Sequence, residues 1–377
     1  MIPIFKQYPS LKEKIPYVPL GEFPTPLMHL NQLGKEIGAD QLYLKHDGLS
    51  GPNYGGNKIR KLEFLLGDAL NKGAKEVLTF GFAGSNHTLA TAVYAQKLGL
   101  KCISILLAQP NAQYVWHNLL LSQVCCAEIC HFNNEMAAYI PTIIKFFRKK
   151  LKNGKFPYII SPGGSSPLGT IGYVNAGFEL KEQIENGLMP EPDTTFVPFG
   201  TMGTAVGLTI GLKAAGLKTR VVSVRVADEK YGNIGKFVKL FKKTLALIHS
   251  FDPSFPRVEI SDDEVDIRHD FFGEQYARFT EQGMAAVDLV AKSEGIKLDG
   301  TYTGKAMAAI INQFKDHSKR NEVTLFWNTY NARDFLDTIK EIDYHQLPQS
   351  FHCYFEEDVQ PLDRHYFDKY YEVSAFD

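Results

Sequence analysis

Apolar residues along this chain recur in two patterns, which are short continuous runs and longer segments with an apolar residue every three or four positions. The short runs predict strands over residues 42–47, 76–80, 102–107, 127–132, 158–160, 195–199, 220–226 and 323–327. The periodic segments predict helices, such as those over residues 59–70 and 89–95. Because buried strands that alternate with helices are typical of parallel sheets, we expect a doubly wound α/β fold.

One polar loop places a lysine at the start of a predicted helix. Residues 53–57 contain Gly55 and Gly56, and Lys58 follows them directly. The free N–H groups and the positive end of the helix dipole disfavour an ammonium group there. A lysine in this position therefore has an anionic partner or a lowered pKa, and a neutral lysine is a nucleophile toward carbonyl groups. The alternative is a solvated surface lysine.

A second loop, after the predicted strand over residues 76–80, carries Ser85 and Asn86 at the start of the next helix. In parallel sheets, ligands bind at the carboxyl ends of strands and often at helix N-termini. The alternative is a simple helix N-cap, for which serine and asparagine are both well suited.

A third loop follows the predicted strand over residues 195–199, and its polar residues suit a phosphate group. Amide N–H groups and two hydroxyls lie at a helix N-terminus, in Gly200, Thr201, Gly203 and Thr204. The glycine spacing matches neither a P-loop nor the dinucleotide-binding fingerprint. Tight strand-to-helix packing is the alternative, and it explains the glycines but not both threonines.

Composition and charge narrow the function classes. The formal net charge of -1 gives no general attraction to nucleic acid or to an acidic membrane. We expect neither a membrane span nor a secretion signal. The five cysteines are irregularly spaced and fit a reducing cytoplasm. No metal site is expected at residues 125–131, because paired ligand spacing is absent. The basic stretch over residues 145–152 fits an amphipathic helix with a solvated face.

Four motifs, in chain order, resemble those of one enzyme family. They cover residues 55–63, 84–88, 162–165 and 302–307. Together they make the chain similar to the 1-aminocyclopropane-1-carboxylate deaminase and D-cysteine desulfhydrase family, which are fold-type II pyridoxal-phosphate enzymes. The resemblance implies two open, twisted, mostly parallel sheets flanked by helices. It also implies a large domain from residues 1–60 and 177–377, a small inserted domain from residues 61–176, and pyridoxal 5′-phosphate between them.

The same resemblance implies roles for individual residues. Lys58 would form the Schiff base with the cofactor and shuttle the Cα proton, and Asn86 would hydrogen-bond the phenolic oxygen. Ser85 and Tyr302 would contact or activate the substrate. The phosphate would be cupped by Gly200, Thr201, Gly203 and Thr204.

Thr303 and Thr329 are alternative partners for the pyridine nitrogen. In the deaminase an acidic residue occupies the position of Thr303, whereas the desulfhydrase-like members have a threonine. A hydroxyl partner leaves the ring a weaker electron sink, which favours expulsion of a leaving group from Cβ. We therefore expect a lyase or hydrolase that deaminates a small amino acid by β-elimination, with D-cysteine as the reference substrate.

Two alternatives remain open, namely ring-opening of 1-aminocyclopropane-1-carboxylate and a non-catalytic homologue that only binds the cofactor. A Thr303→Glu variant should gain ring-opening activity if ring protonation alone separates the two reactions. The chain departs from the family pattern at Gly84 (glutamine in the family), at Leu89 (arginine) and over residues 328–331 (His-Thr-Gly-Gly). Tyr330 would narrow the pocket. We also expect a homodimer, with residues 354–376 packed on the large domain or on a partner subunit.

Overall fold

The computed structural model describes residues 1–125 and 128–363, which form two sheets flanked by helices. The strands are β1 (Leu27–His29), β2 (Leu42–His46), β3 (Glu76–Phe82), β4 (Lys101–Leu107), β5 (Glu128–Phe132), β6 (Tyr158–Ile160), β7 (Thr194–Phe199), β8 (Arg220–Arg225), β9 (Asp266–Arg268) and β10 (Thr324–Asn328). All eight predicted strands are present. The short edge strands β1 and β9 were not predicted, because neither forms a buried apolar run.

The two sheets are mostly parallel, as predicted. The larger has six strands in the order β1-β2-β10-β7-β8-β9, and the smaller has four in the order β5-β4-β3-β6. Only β1 and β2 pair in the antiparallel sense among these strands. Because the other strands all run the same way within their sheet, their carboxyl ends lie together along one edge of each sheet.

Helices cover the sheets and connect the strands. They are α1 (Pro3–Gln7), α2 (Pro9–Lys14), α3 (Asn31–Ile37), α4 (Lys58–Asn71), α5 (Asn86–Lys97), α6 (Gln113–Cys125), α7 (Glu135–Asn153), α8 (Pro167–Glu185), α9 (Gly203–Ala214), α10 (Ile234–Phe251), α11 (Glu281–Glu294), α12 (Thr303–Gln313), α13 (Leu336–Ile339) and α14 (Cys353–Glu356). Within the described residues, none of these helices is long and apolar enough to cross a membrane.

Helices α8 and α9 pack at very close range. A Cβ atom on Gly177 of α8 would lie 2.5 Å from the carbonyl carbon of Gly211 in α9. Only glycine therefore allows the two backbones to approach at this point. The contact fixes α9, whose N-terminus carries the predicted phosphate-binding residues, against the core of the larger sheet.

Both predicted domain limits fall inside helices. The limit after residue 60 lies in α4, and the limit after residue 176 lies in α8. The four-stranded sheet is built from residues between 76 and 160, and the six strands of the larger sheet lie outside that range. The division into two domains remains a prediction, with α4 and α8 as the helices that join the sheets.

The described part of the C-terminal segment contacts both halves of the molecule. The hydroxyl of Tyr354 accepts a hydrogen bond from the backbone N–H of Gln109 at 3.1 Å, beyond β4. The side-chain oxygen of Gln360 accepts one from the N–H of Phe279 at 2.7 Å, near α11. This segment thus contacts the residues beyond β4 in addition to the large domain, on which packing was predicted. Residues 364–377 lie outside the described part of the chain.

Candidate active site

A cleft opens where the carboxyl ends of the strands of both sheets meet. It contains about 910 Å³ of atom-free space, counting its solvent-filled mouth. Nine of the ten site residues expected from the sequence line it, namely Lys58, Ser85, Asn86, Gly200, Thr201, Gly203, Thr204, Tyr302 and Thr329. Thr303 does not line it.

Lys58 is the first residue of α4, and its side chain is partly buried in the cleft. Burial lowers the pKa of Lys58 to about 8, and the charge of Asp299 opposes this shift. No described residue accepts a hydrogen bond from its amine. A substantial neutral fraction near pH 8 makes this amine a nucleophile, as the position at the helix start predicts.

The loop before Lys58 is held by residues from distant parts of the chain. The side-chain nitrogen of Asn57 donates to the hydroxyl of Thr204 at 3.0 Å, and its backbone N–H donates to the carbonyl oxygen of Thr329 at 3.1 Å. The N–H of Gly55 donates to the side-chain oxygen of Asn331 at 2.7 Å. These bonds fix the position of Lys58 relative to α9 and to the residues after β10.

A buried ionic network lies behind the Lys58 loop. Arg60 pairs with Asp47 at 2.8 Å and with Glu179 at 2.9 Å, and Lys45 pairs with Glu179 at 2.6 Å. Burial raises the pKa of Glu179, but the charges of Arg60 and Lys45 prevail and lower it to about 2. The backbone oxygen of Asp47 also accepts from the N–H of Gly56 at 2.8 Å. The network thus supports the loop that carries Lys58.

The hydrogen bonds of Asn86 define which end of its amide group faces a ligand. Its side-chain oxygen accepts hydrogen bonds from the hydroxyl of Tyr54 at 3.1 Å and from the amide nitrogen of Asn118 at 2.9 Å. Within the described chain, nothing accepts from the side-chain nitrogen of Asn86. That nitrogen is therefore available as a donor, which the predicted bond to a phenolic oxygen requires.

Ser85 serves as the N-cap of α5 and also lines the cleft. Its hydroxyl oxygen accepts from the backbone N–H groups of His87 and Thr88, both at 3.3 Å. The N-cap alternative is therefore confirmed, and it is compatible with a ligand role because the hydroxyl hydrogen can still donate. The N-terminus of α5 also favours an anionic group, such as a carboxylate, at this end of the cleft.

The predicted phosphate-binding loop forms a concave turn of N–H groups and hydroxyls. The N–H of Gly203 donates to the hydroxyl of Ser165 at 3.1 Å, and this hydroxyl bonds to that of Thr201 at 2.8 Å. Met202 has a φ of +67°, which is uncommon for a residue other than glycine. Turns of this kind direct successive N–H groups toward an anion.

Lys61 adds an amine to the same loop, and the sequence reasoning missed it. Its amine donates to the carbonyl oxygen of Gly163 at 3.1 Å and lies 3.0 Å from the position that a Cβ atom on Gly203 would occupy. Burial and the nearby charge of Lys58 lower the pKa of Lys61. The sequence did contain a signal for this residue, because Lys61 lies three positions after Lys58 and a helix places both lysines on one face.

The tyrosine predicted to contact the substrate has an aromatic partner. The hydroxyls of Tyr302 and Tyr276 are hydrogen-bonded, and the ring of Tyr276 stacks on Phe82 with centroids 4.3 Å apart. Asp299 accepts from the N–H of Tyr302 at 2.9 Å. Sequence reasoning missed Tyr276 and Asp299, because both lie in irregular segments that no periodic pattern marks.

The two alternative partners of the ring nitrogen occupy different environments. Thr303 is fully buried, and its hydroxyl donates to a carboxylate oxygen of Asp299 at 2.5 Å. The same hydroxyl accepts from the N–H of Asp299 at 2.8 Å. Thr329 lines the cleft, and in the described chain its hydroxyl has no hydrogen-bond partner. Of the two, only Thr329 is placed to meet a ligand.

The departures from the family pattern alter the packing beside the cleft. A Cβ atom on Gly84 would lie 2.6 Å from the ring of Tyr114, and the N–H of Gly84 donates to the side-chain oxygen of Gln109 at 2.9 Å. Tyr114 and Gln109 therefore occupy the space of a longer side chain at residue 84. Leu89 is buried in the core, and Tyr330 lines the cleft as expected.

Comparison with known proteins gives consistent matches over most of the chain. The model of the family described as "Pyridoxal-phosphate dependent enzyme" matches residues 18–329. A Pyrococcus horikoshii protein, provisionally named a 1-aminocyclopropane-1-carboxylate deaminase, is 36% identical over 80% of this chain and 88% of its own length. The D-cysteine desulfhydrase of Serratia proteamaculans is 34% identical over 80% of this chain and 90% of its own length.

Solved structures extend these matches to the fold. A crystal structure of an ACC deaminase homologue superposes with a TM-score of 0.73 at 32% identity, covering 88% of this chain and 97% of the other. The processed form of threonine deaminase isoform 2 from Solanum lycopersicum gives 0.58 at 15% identity, covering 90% and 93%, and so supports the fold alone. The relatives are deaminases and a desulfhydrase, so the hydrolase expectation is wrong and the lyase or deaminase expectation is confirmed.

Proposed function

Since the chain belongs to the family of pyridoxal-phosphate-dependent enzymes, we propose that it deaminates a small amino acid carrying a leaving group on Cβ, with D-cysteine as the reference substrate. The products would be a 2-oxo acid and ammonia. The observation that carries this proposal is the set of groups around the cleft. A partly neutral lysine amine lies in the same cleft as an amide donor and a turn whose N–H groups and hydroxyls suit a phosphate.

The residues of the cleft fit pyridoxal 5′-phosphate group by group. Lys58 would hold its aldehyde carbon covalently, and the side-chain nitrogen of Asn86 would donate to its phenolic oxygen. The N–H groups and hydroxyls at the start of α9, with the amine of Lys61, would bind its phosphate. Thr329 would contact its ring nitrogen. When bound, the cofactor supplies an electron sink for negative charge on the substrate Cα atom.

Other residues would position the substrate and move protons. Ser85 and the N-terminus of α5 would bind the substrate carboxylate. The amine of Lys58 would remove the proton from the substrate Cα atom. Burial raises the pKa of Tyr302, so its hydroxyl stays protonated at neutral pH and can donate to a departing thiolate.

Ring-opening of 1-aminocyclopropane-1-carboxylate is the second candidate, and the match to the Pyrococcus horikoshii relative favours it. A hydroxyl beside the ring nitrogen favours β-elimination instead, because no acidic residue takes that place. A non-catalytic homologue is the third candidate, supported by Tyr330, whose side chain takes up room in the cleft.

We further propose the two-domain division given above, a homodimer and a cytoplasmic location. The separate origin of the two sheets in the chain supports the domain division. The four cysteines in the described part of the chain are free thiols, which supports a reducing compartment. The large apolar side chains that α7 exposes, among them Met136, Ile140 and Leu151, support the homodimer.

The first experiment is an absorption spectrum of the purified wild type beside Lys58→Ala, followed by borohydride reduction and peptide mapping. A visible band in the wild type alone, with the reduced adduct on Lys58, would support the proposal. Lys305 is an internal control, because burial also lowers its pKa to about 8 while its amine donates to the carbonyl oxygen of Phe272 at 2.6 Å. An adduct on Lys305, or a colourless wild type that takes up no added cofactor, would contradict it.

A substrate panel then separates the three candidates. Pyruvate and sulfide from D-cysteine would identify β-elimination, and 2-oxobutyrate from the cyclopropane amino acid would identify ring-opening. A coloured protein that releases no 2-oxo acid from any amino acid would identify the non-catalytic homologue.

A further inference from the structure

Gln360 is a buried residue of the C-terminal segment, residues 354–363. Its side chain is only 6% exposed, although glutamine is usually a surface residue. The match to the family model ends at residue 329, so Gln360 lies beyond the region that the family match explains. What this residue contacts therefore bears on a feature of this chain rather than on the matched region.

The side-chain amide of Gln360 uses both of its ends. Its oxygen accepts a hydrogen bond from the N–H of Phe279 at 2.7 Å, and its nitrogen donates to the carbonyl oxygen of Ala277 at 3.0 Å. The backbone N–H of Gln360 donates to the carbonyl oxygen of Asn111 at 3.1 Å, and the side-chain nitrogen also reaches this oxygen at 3.4 Å. Breaking these bonds would leave buried polar groups without partners, which is costly.

The rest of the C-terminal segment holds Gln360 in place. Asn111, which lies between β4 and α6, donates from its side-chain nitrogen to the carbonyl oxygens of Tyr354 and Glu357 at 3.0 and 2.9 Å. Asp363 accepts from the N–H of Gln113, the first residue of α6, at 2.6 Å. The segment is thus fastened on both sides of Gln360 to the residues that follow β4.

Ala277 has a backbone conformation that needs support. Its φ is +61°, in the left-handed region that residues with a Cβ atom rarely adopt. Such a conformation persists only where the surrounding structure holds it, and it is often found at functional sites. Gln360 bonds to the carbonyl oxygen of Ala277 and to the N–H of Phe279, two positions later. Its amide therefore spans this turn and restrains it.

The turn at Ala277 determines where Tyr276 lies. Tyr276 directly precedes Ala277 and lines the cleft. Its ring stacks on Phe82 with centroids 4.3 Å apart, and its hydroxyl is hydrogen-bonded to that of Tyr302. A change in the backbone at Ala277 would therefore move the ring of Tyr276 and release the hydroxyl of Tyr302.

We propose that Gln360 is a positioning residue for the reaction. It holds the turn at Ala277, and through that turn it places Tyr276 so that the hydroxyl of Tyr302 faces the leaving group of the substrate. This inference rests on the proposed function, in which Tyr302 donates to a departing thiolate. Supporting bonds of this kind keep a functional group in its productive geometry.

Simple attachment of the C-terminal segment is the competing explanation. In that case the loss of the Gln360 amide would lower the melting temperature and leave the groups in the cleft where they are. The choice of partners favours positioning, because the amide bonds to the backbone on both sides of a strained turn, directly beside Tyr276.

The first test measures kcat and KM of the holoenzyme with D-cysteine. Gln360→Glu keeps the shape of the side chain but replaces its donor nitrogen with an oxygen, and Gln360→Met keeps the length and removes both polar ends. We expect each variant to lower kcat about tenfold, because small displacements of a catalytic group have effects of this size or larger. KM should stay within about twofold, since the bond to the leaving group strengthens in the transition state.

Gln349→Glu is the matched control. Gln349 belongs to the same C-terminal part of the chain but is exposed, so this variant should keep the wild-type kcat and KM. Gln360→Met still gives the comparison if the buried charge of Gln360→Glu prevents folding.

A second test needs no substrate. Fluorine NMR of the holoenzyme labelled with 3-fluorotyrosine reports on the surroundings of the Tyr302 ring, and Tyr302→Phe identifies its signal. Both Gln360 variants should shift this signal, and Gln349→Glu should leave it unchanged. A wild type that does not convert D-cysteine would contradict the proposed function, whereas the Tyr302 signal would still decide the role of Gln360.

A third test restores the turn without Gln360. Glycine adopts a positive φ without strain, so Ala277→Gly removes the need for a restraint. Compared with the Ala277→Gly single variant, the double variant with Gln360→Met should lose no more than about threefold in kcat, because the two residues act through one turn and their effects are not additive.

Three outcomes would overturn the proposal. The first is a Gln360→Met variant with wild-type kcat and an unchanged Tyr302 signal. The second is a lower melting temperature with an unchanged Tyr302 signal, which would assign Gln360 to attachment of the segment. The third is the same loss of kcat, or the same shift of the Tyr302 signal, whether residue 277 is alanine or glycine.

Discussion

Tyr54 donates its hydroxyl hydrogen to the side-chain oxygen of Asn86 across 3.1 Å, from a loop to the start of α5. With the second donor, Asn118, it leaves the side-chain nitrogen of Asn86 available to the cleft. Asn86 would contact the cofactor, and Tyr54 and Asn118 hold its amide group in the orientation that this contact needs. Such supporting bonds keep a binding group in one orientation.

Tyr54→Phe should weaken cofactor binding about fivefold, because one hydrogen bond that orients Asn86 is worth about 1 kcal/mol. The measurement is an absorbance titration of the apoenzyme with pyridoxal phosphate. Tyr43→Phe is the control, since it removes a hydroxyl that bonds to Gln41 at 3.2 Å away from the cleft. Equal affinities in the two variants would contradict the orienting role.

Thr329→Val should affect the reaction, whereas Thr303→Val should affect stability. Removing the cleft-facing hydroxyl of Thr329 should lower kcat and shift the visible spectrum while leaving the melting temperature unchanged. Removing the hydroxyl of Thr303 takes a buried donor from Asp299 and should lower the melting temperature by several degrees. A spectral shift in Thr303→Val alone would reverse the assignment of the ring-nitrogen partner.

Thr303→Glu should destabilise the protein rather than confer ring-opening activity. The structure changes the earlier expectation because a glutamate there would bury a second carboxyl group beside Asp299, whose own pKa is raised by burial. Like charges in a buried site cannot both ionise without a large cost. Thermal unfolding and a 2-oxobutyrate assay check both parts, and a stable variant that opens the cyclopropane ring would contradict the prediction.

The buried carboxyl group of Glu63 should make stability depend on pH. Burial raises the pKa of Glu63 from its ordinary value of 4.5 to about 7. The N–H groups of Leu20 and Gly21, which donate to its carboxyl group, lower the pKa but do not outweigh burial. Between these values the folded protein binds a proton that the unfolded chain has released. The contribution of Glu63 is therefore fully present below pH 4.5 and is lost as the pH rises through 7, a change of about 3 kcal/mol.

Glu63→Gln should remove this dependence. As the pH rises from 5 to 8, the free energy of unfolding of the variant should therefore increase relative to that of the wild type. Urea unfolding at both pH values measures the difference. Glu185→Gln is the control, because Glu185 is 62% exposed on α8. A Glu63→Gln variant that keeps the wild-type pH dependence would show that another group is responsible.

Arg60→Ala should be far more destabilising than removal of a surface arginine. Breaking a buried ion pair costs about 3–5 kcal/mol because the partner charges remain buried. Arg60 forms ion pairs with both Asp47 and Glu179. Arg320→Ala is the control, since Arg320 forms an exposed pair with Asp40 at 2.8 Å, and loss of such a surface pair should change stability little. Thermal unfolding compares them, and equal shifts would contradict the supporting role of the network.

Local patterns in the sequence were enough to predict the strands, the parallel sheets and most of the expected residues that line the cleft. Its signals are local, because an apolar run followed by a loop of glycine, serine or threonine and then a helix marks a strand end. Parallel strands bring those ends together, so Lys58, Ser85 and the Gly200–Thr204 loop meet in one cleft without further information.

The directions in which individual side chains point depend on contacts between distant parts of the chain. Asn118 bonds to Asn86, and Tyr276 bonds to Tyr302, from separate segments of the chain. Thr303 turns its hydroxyl to Asp299 because that carboxyl group accepts at the start of α12. Periodicity showed that α7 has an apolar and a charged face, but it cannot show which face meets the protein. That depends on Glu128, which pairs with Lys149 from a neighbouring strand and so leaves the apolar stripe of α7 in solvent.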